Sequence, residues 1–199
     1  MTQSIYNRVV SKIYGRMRGW VFTSTQFFDL GNRSAVAKAL ERLADAGTIR
    51  RLARGLYDYP EKHPVLGDLP ANYDRLAQAL AGRDNLKIQP SGAYAANLLG
   101  LTDQVPARII FLTDGANRKV QIKNQQIILK RTTPKNMATA GHVSGLVIQA
   151  LRYLGKDHVS DKTIGMLKKR LTKDDKRQLI SGLRYAPAWI GTIFRKLQE

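Results

Sequence analysis

The stretch that most limits what this chain can fold into lies at residues 32–59, NRSAVAKALERLADAGTIRRLARGLYDY. Val36, Ala39, Leu40, Leu43 and Ala44 recur at helical spacing, which predicts an amphipathic helix. Ser34, Lys38, Glu41, Arg42 and Asp45 fall on its other side. Asn32 or Ser34 can cap the first free N–H groups, and Gly47 supplies a left-handed stop. Two short strands follow, at residues 49–52 and 56–59. They flank Ala53-Arg54-Gly55, a three-residue turn with glycine where positive φ is wanted.

The residues before this stretch fix its setting. Residues 4–14 read as a helix with Ile5, Val9 and Ile13 on its buried stripe, ended by Gly15. Arg16, Arg18 and Gly19 make a basic turn, and Trp20-Val21-Phe22 is a short strand. Residues 25–30 then read as a second helix carrying Phe27, Phe28 and Leu30. Helix, strand, helix, turn, helix and hairpin is the order of a winged helix-turn-helix. In that fold the third helix enters the major groove and its N-terminal half reads base edges. The corresponding side chains are Arg33, Ser34 and Lys38, with Ala35 beside them and Arg42 nearer a phosphate. The hairpin carries Arg50, Arg51 and Arg54, suited to the sugar-phosphate backbone or an adjacent minor groove. The same helix and hairpin can also serve as packed core or as a protein-binding surface.

Charge favours the first of these uses. The 199 residues hold 33 Lys and Arg against 15 Asp and Glu, a formal net charge of +18. The excess is shared among the N-terminal, middle and C-terminal thirds, so a basic tail does not explain it. A polyanion touched by much of the surface, or an acidic protein, is the partner such a balance suits. The chain has no cysteine. That excludes a disulfide framework and Cys-based zinc sites. A hydrophobic content of 43% is that of a globular chain. There is no apolar run of about 18 residues to span a bilayer, and the first residues lack an apolar signal core. The expectation is a cytoplasmic protein without membrane association.

Beyond residue 60 the pattern changes. Residues 61–72 are rich in proline and read as a linker. Short helices are expected at residues 74–80 and 91–99, with an extended piece at Ile88. Strands are expected at residues 108–113, 119–122 and 126–131, in an antiparallel meander. From His142 the chain is helical: residues 143–154, then helices capped by Ser160 and Thr172, then a last helix at 188–197 behind Pro187. The predicted class is α+β: a winged helix-turn-helix at residues 1–60, a linker, and a small antiparallel sheet packed with C-terminal helices at 73–199.

No catalytic constellation is apparent. His63, His142 and His158 are scattered, without metal-ligand spacing, and no Gly-rich phosphate loop is present. Asp103 and Asp114 could in principle hold a metal, but turn chemistry accounts for both. The expectation is a protein that is not an enzyme, with no catalytic residue, metal or cofactor.

Two blocks of sequence resemble a known family. AVAKALERLADAGTIRRLARGLYDYP, at residues 35–60, looks like the helix-to-hairpin junction of the AbiEi-type antitoxins of type IV toxin–antitoxin systems and their DUF6088-like relatives. SGAYAANLLGLTDQVPARIIFLTDG at residues 91–115, followed by IILKRTTP at 127–134, resembles the opening of the antitoxin domain. The resemblance implies a transcriptional autorepressor that binds inverted repeats in its own promoter, cooperatively, as a monomer or weak dimer in solution. It implies a neighbouring nucleotidyltransferase-like toxin, neutralised without a stable complex. It assigns DNA roles only to Arg33, Ser34, Lys38, Arg42, Arg50, Arg51 and Arg54. The alternative is a nucleic-acid-binding subunit or nuclease of a phage-defence complex.

Overall fold

The computed structural model describes residues 4–82 and 86–198. It is an α+β protein whose chain divides into two compact units, Met1–Asp84 and Asn85–Glu199.

The first unit opens with α1 (Ile5–Tyr14), started by Ser4, whose hydroxyl oxygen accepts from the Asn7 N–H. Val9 and Ile13 are its fully buried face. Next come β1 (Val21–Thr23) and one 3-10 turn, Ser24–Phe27. The α-helix expected at residues 25–30 is therefore not formed. Between Thr23, which ends the strand, and Asn32, which caps the next helix, the Phe28 and Leu30 N–H groups bond to the Thr25 and Phe27 carbonyls three residues back, the tighter 3-10 pattern.

Of the two candidate caps for α2 (Arg33–Asp45), Asn32 is the one used. Its side-chain oxygen accepts from the Ala35 N–H at 2.8 Å. Past Gly47, at φ +67°, β2 (Arg50–Ala53) pairs with β3 (Leu56–Asp58), and β1 completes an antiparallel sheet in the order β1-β3-β2. The expected three-residue turn is replaced by a two-residue turn, Arg54-Gly55. Arg51 faces Tyr57 and Ala53 faces Leu56, so Leu52 is the extra residue, absorbed as a bulge.

Val9, Ile13, Phe22, Phe27, Val36, Leu40, Leu43 and Ile49 form one buried cluster that ties the helices to the sheet. Each fully buried side chain of this size contributes about 1.5–3 kcal/mol.

The stretch read as a linker is structured. It holds a small hairpin of β4 (Lys62–His63) and β5 (Gly67–Asp68). After it comes α3 (Tyr73–Ala81), begun by Asn72, whose side-chain oxygen accepts from the Asp74 and Arg75 N–H groups at 2.9 and 3.1 Å. Both elements belong to the first compact unit, so its boundary falls later than the expected residue 60.

The second unit comprises β6 (Ile88–Ser91), α4 (Gly92–Leu98), β7 (Arg108–Thr113), β8 (Arg118–Ile122) and β9 (Gln125–Arg131). The helices α5 (Pro134–Met137), α6 (Val143–Leu154), α7 (Asp161–Arg170), α8 (Lys173–Gly182) and α9 (Ala188–Lys196) complete it. Its sheet is not the expected meander. The order is β6-β7-β9-β8, and β7 runs parallel to β9, with Ile109 opposite Ile127 and Phe111 opposite Leu129.

Side-chain chemistry explains the exchange of β8 and β9. The Ile127-Ile128-Leu129 run suits an interior strand. Arg118 and Lys119 are exposed and suit an edge. Ala95, Leu99, Val147, Leu151, Leu167, Leu179, Ile190 and Phe194 build the helical core. Ser160 and Thr172 cap α7 and α8 as their positions predict, Thr172 in a capping box with Asp175.

Candidate nucleic-acid interface

The outward face of α2 gathers four of the seven side chains singled out from sequence. Arg33, Ser34, Lys38 and Arg42 are all exposed. Ser34, Lys38 and Arg42 recur every four residues and so form one ridge along the helix. The two arginines are not loose. The Arg33 guanidinium lies 5.2 Å from the Phe28 ring centroid, and that of Arg42 lies 5.9 Å from the Tyr6 ring centroid. Such stacking narrows the rotamers of a long side chain while leaving N–H donors open to an outside acceptor.

The hairpin divides its three arginines between two roles. Arg51 and Arg54 are exposed, Arg54 in the turn itself. Gly55 supplies the positive φ of that turn, +73°, and its carbonyl accepts from the Ser24 N–H at 3.2 Å. This ties the hairpin tip to the start of the 3-10 turn.

Arg50 is held inward. Its Nε and Nη2 donate to the two carboxylate oxygens of Asp58 at 3.1 and 2.5 Å, and Nη2 also donates to the Leu69 carbonyl at 2.8 Å. Asp58 is 1% exposed. The hydrogen bonds that Arg50 donates to Asp58 raise the Arg50 pKa above its ordinary value, against the opposing effect of burial; the charges of Asp58 and Asp68 add to the rise. Arg50, grouped by sequence with Arg51 and Arg54, thus differs from them in having internal partners: it fastens the hairpin to the segment after it. Asp58 drew no role in the sequence reading. The hairpin register contained the signal, because Arg50 and Asp58 stand directly opposite each other.

Two of the residues considered for catalysis, His63 and Asp114, have local duties. His63 Nδ1 accepts from the Val65 and Leu66 N–H groups and so shapes its own turn. Asp114 accepts from the Lys87 N–H at 3.0 Å. Among the described residues, no three His, Cys, Asp or Glu side chains converge as metal ligands. No helix among them is long and apolar enough to cross a membrane.

An α+β chain with a basic helix face and hairpin defines a broad class, and comparison with known proteins narrows it. Residues 8–179 match the model of the Family of unknown function (DUF6088), and the chain belongs to that family. A solved structure, the RV2827C protein from Mycobacterium tuberculosis, is similar over 100% of this chain and 77% of its own, at 16% identity and a TM-score of 0.47. That likeness is too low to bear on function. No curated protein matches.

Proposed function

We propose that the first unit is a winged helix-turn-helix and that the protein is a sequence-specific DNA-binding transcriptional repressor. In this reading α2 is the recognition helix and the β2–β3 hairpin is the wing. The observation that carries it is the exposed set Arg33, Ser34, Lys38 and Arg42 on one helix, followed by exposed Arg51 and Arg54 on a hairpin tied to the preceding turn. Arg33, Ser34 and Lys38 lie in the first half of α2, the half that reads base edges when a helix docks in the major groove. Arg42, Arg51 and Arg54 contact phosphates and set the register. A net charge of +18 supplies long-range attraction to the duplex.

The resemblance of residues 35–60 and 91–134 to AbiEi-type antitoxins supports the biological setting. The protein would repress its own promoter through inverted repeats and counteract a nucleotidyltransferase-like toxin in the cytoplasm. Those two blocks, rather than any geometry, carry that part.

The test is a gel-shift titration against the chain's own upstream DNA and an unrelated duplex, at two salt concentrations. Tighter, stepwise binding to the upstream DNA is expected. Equal, salt-sensitive binding to both would leave a basic protein without a sequence reader and overturn the repressor reading.

A further inference from the structure

At the end of the first unit's sheet opposite the hairpin tip, the surface falls into a recess of about 370 Å³. The hairpin tip meets Thr23 and Ser24, whereas the recess lies beyond Val21, where Trp20 and Gly19 bond to Tyr59. Its lining includes Arg16, Arg18, Trp20, Gln26, Arg75 and Gln78. Three cations from two separate chain segments meet there with two amides and an indole. None of the α2 or hairpin residues assigned to DNA takes part.

The recess is built rather than incidental. Arg16 lies 5.4 Å from the Trp20 ring centroid. Arg18 stacks 4.5 Å from the Tyr59 ring centroid and donates from Nη1 to the Pro60 carbonyl at 3.0 Å. Arg75 donates from Nη1 to the Arg18 carbonyl at 3.4 Å. Its guanidinium occupies the space a side chain at Gly19 would need: a Cβ there would stand 2.0 Å from Nη1. Each arginine is thus anchored through one or two contacts, and a guanidinium has five donors. Glu61 reaches the same edge over Gly19, but among the described residues no carboxylate lies within 4 Å of the three guanidinium groups.

We infer that this recess is a phosphate-binding site distinct from the α2 face. Planar guanidinium groups match phosphate oxygens two at a time, and the volume is within the range of small-molecule sites. The phosphate belongs either to a small phosphorylated molecule or to a stretch of duplex that passes this end of the sheet. The inference stands independently of the repressor reading, because its first test contains no DNA.

Trp189→Phe leaves Trp20 as the single tryptophan of the full chain, whose sequence has two. In that background, inorganic pyrophosphate should change Trp20 fluorescence saturably, and sulfate at equal ionic strength should not. Arg75→Gln and Arg16→Gln, made separately and checked for unchanged melting, should each weaken pyrophosphate binding at least tenfold. Arg54→Gln should leave it unchanged. A response that does not saturate, that sulfate reproduces, or that survives both recess substitutions would overturn the site. Repeating the titration with saturating upstream DNA distinguishes the sources. Displacement of pyrophosphate assigns the recess to a duplex phosphate, and undiminished binding assigns it to a small molecule. Either result supports a phosphate site.

Discussion

Arg50 and Asp58 face each other across the β2–β3 pair, two N–H groups on two carboxylate oxygens, with Asp58 sealed from solvent. The pair is an internal fastening, and it sets Arg50 apart from the exposed Arg51 and Arg54 of the same hairpin. Because Asp58 raises the folded-state pKa of Arg50, the linked stabilisation is complete below the ordinary arginine range and is lost only above it. Ordinary laboratory pH does not remove it.

Arg50→Ala should therefore destabilise the first unit by about 3–5 kcal/mol, the cost of leaving a buried charge unpaired. Urea denaturation would measure the loss. The double change Arg50→Met with Asp58→Leu should recover most of it, since neither charge then remains. If Arg50→Ala leaves the urea midpoint unchanged and weakens DNA binding instead, the inward assignment is wrong.

Arg51→Ala with Arg54→Ala should behave in the opposite way. Both side chains are exposed, so the urea midpoint should hold. On the repressor reading, the slope of log affinity against log salt should fall by about 2, close to one for each phosphate contact removed. Filter binding over a salt series would read this directly, and an unchanged slope would take the hairpin off the DNA.

On the same repressor reading, Lys38→Ala and Arg33→Ala should relax sequence preference rather than weaken all binding evenly. Each lost base contact should cost about 1–3 kcal/mol on the operator and far less on random duplex. Competition between operators altered one base pair at a time would show which positions lose discrimination. Uniform weakening would reassign both residues to phosphates.

In the second unit, Gly182 at the end of α8 lies against Ser144 of α6: a Cβ added at Gly182 would stand 2.4 Å from the Ser144 Cβ. Gly182→Ala should destabilise by about 1–3 kcal/mol through overpacking. Adding Ser144→Gly should restore part of the loss, as followed by thermal melting. Independent, additive effects of the two changes would mean that the helices pack elsewhere.

Much of this architecture is legible from local pattern. α2, its outward cations and the capped helices at Ser160 and Thr172 follow from periodicity and from residues that act within one turn. Two kinds of information are less accessible. Partnership across a strand pair depends on register, and a single bulge at Leu52 resets which residues share a face. Strand order depends on which strand can be covered on both sides. Sequence proximity suggested a meander, whereas burial of Ile127 and Leu129 places β9 between β7 and β8. Arg16 and Arg18 read as a basic turn, and nothing in the sequence pattern joins Arg75 to them. Only the packing of α3 beside β1 brings them to one recess.

The parallel pairing of β7 with β9 also imposes an order of events on a chain leaving the ribosome. Strand β7 has β6 as its earlier neighbour but must wait for its other edge until β9 has emerged, with β8 made in between. Until then Ile109 and Phe111 lack their final cover. The first unit closes its sheet within residues 21–58 and needs nothing synthesised later for that step. Non-local pairings form slowly and leave strands open to the wrong partner. A nascent chain would therefore acquire its arginine-lined helix and hairpin early, while its second unit remains the part most exposed to chaperones and proteases.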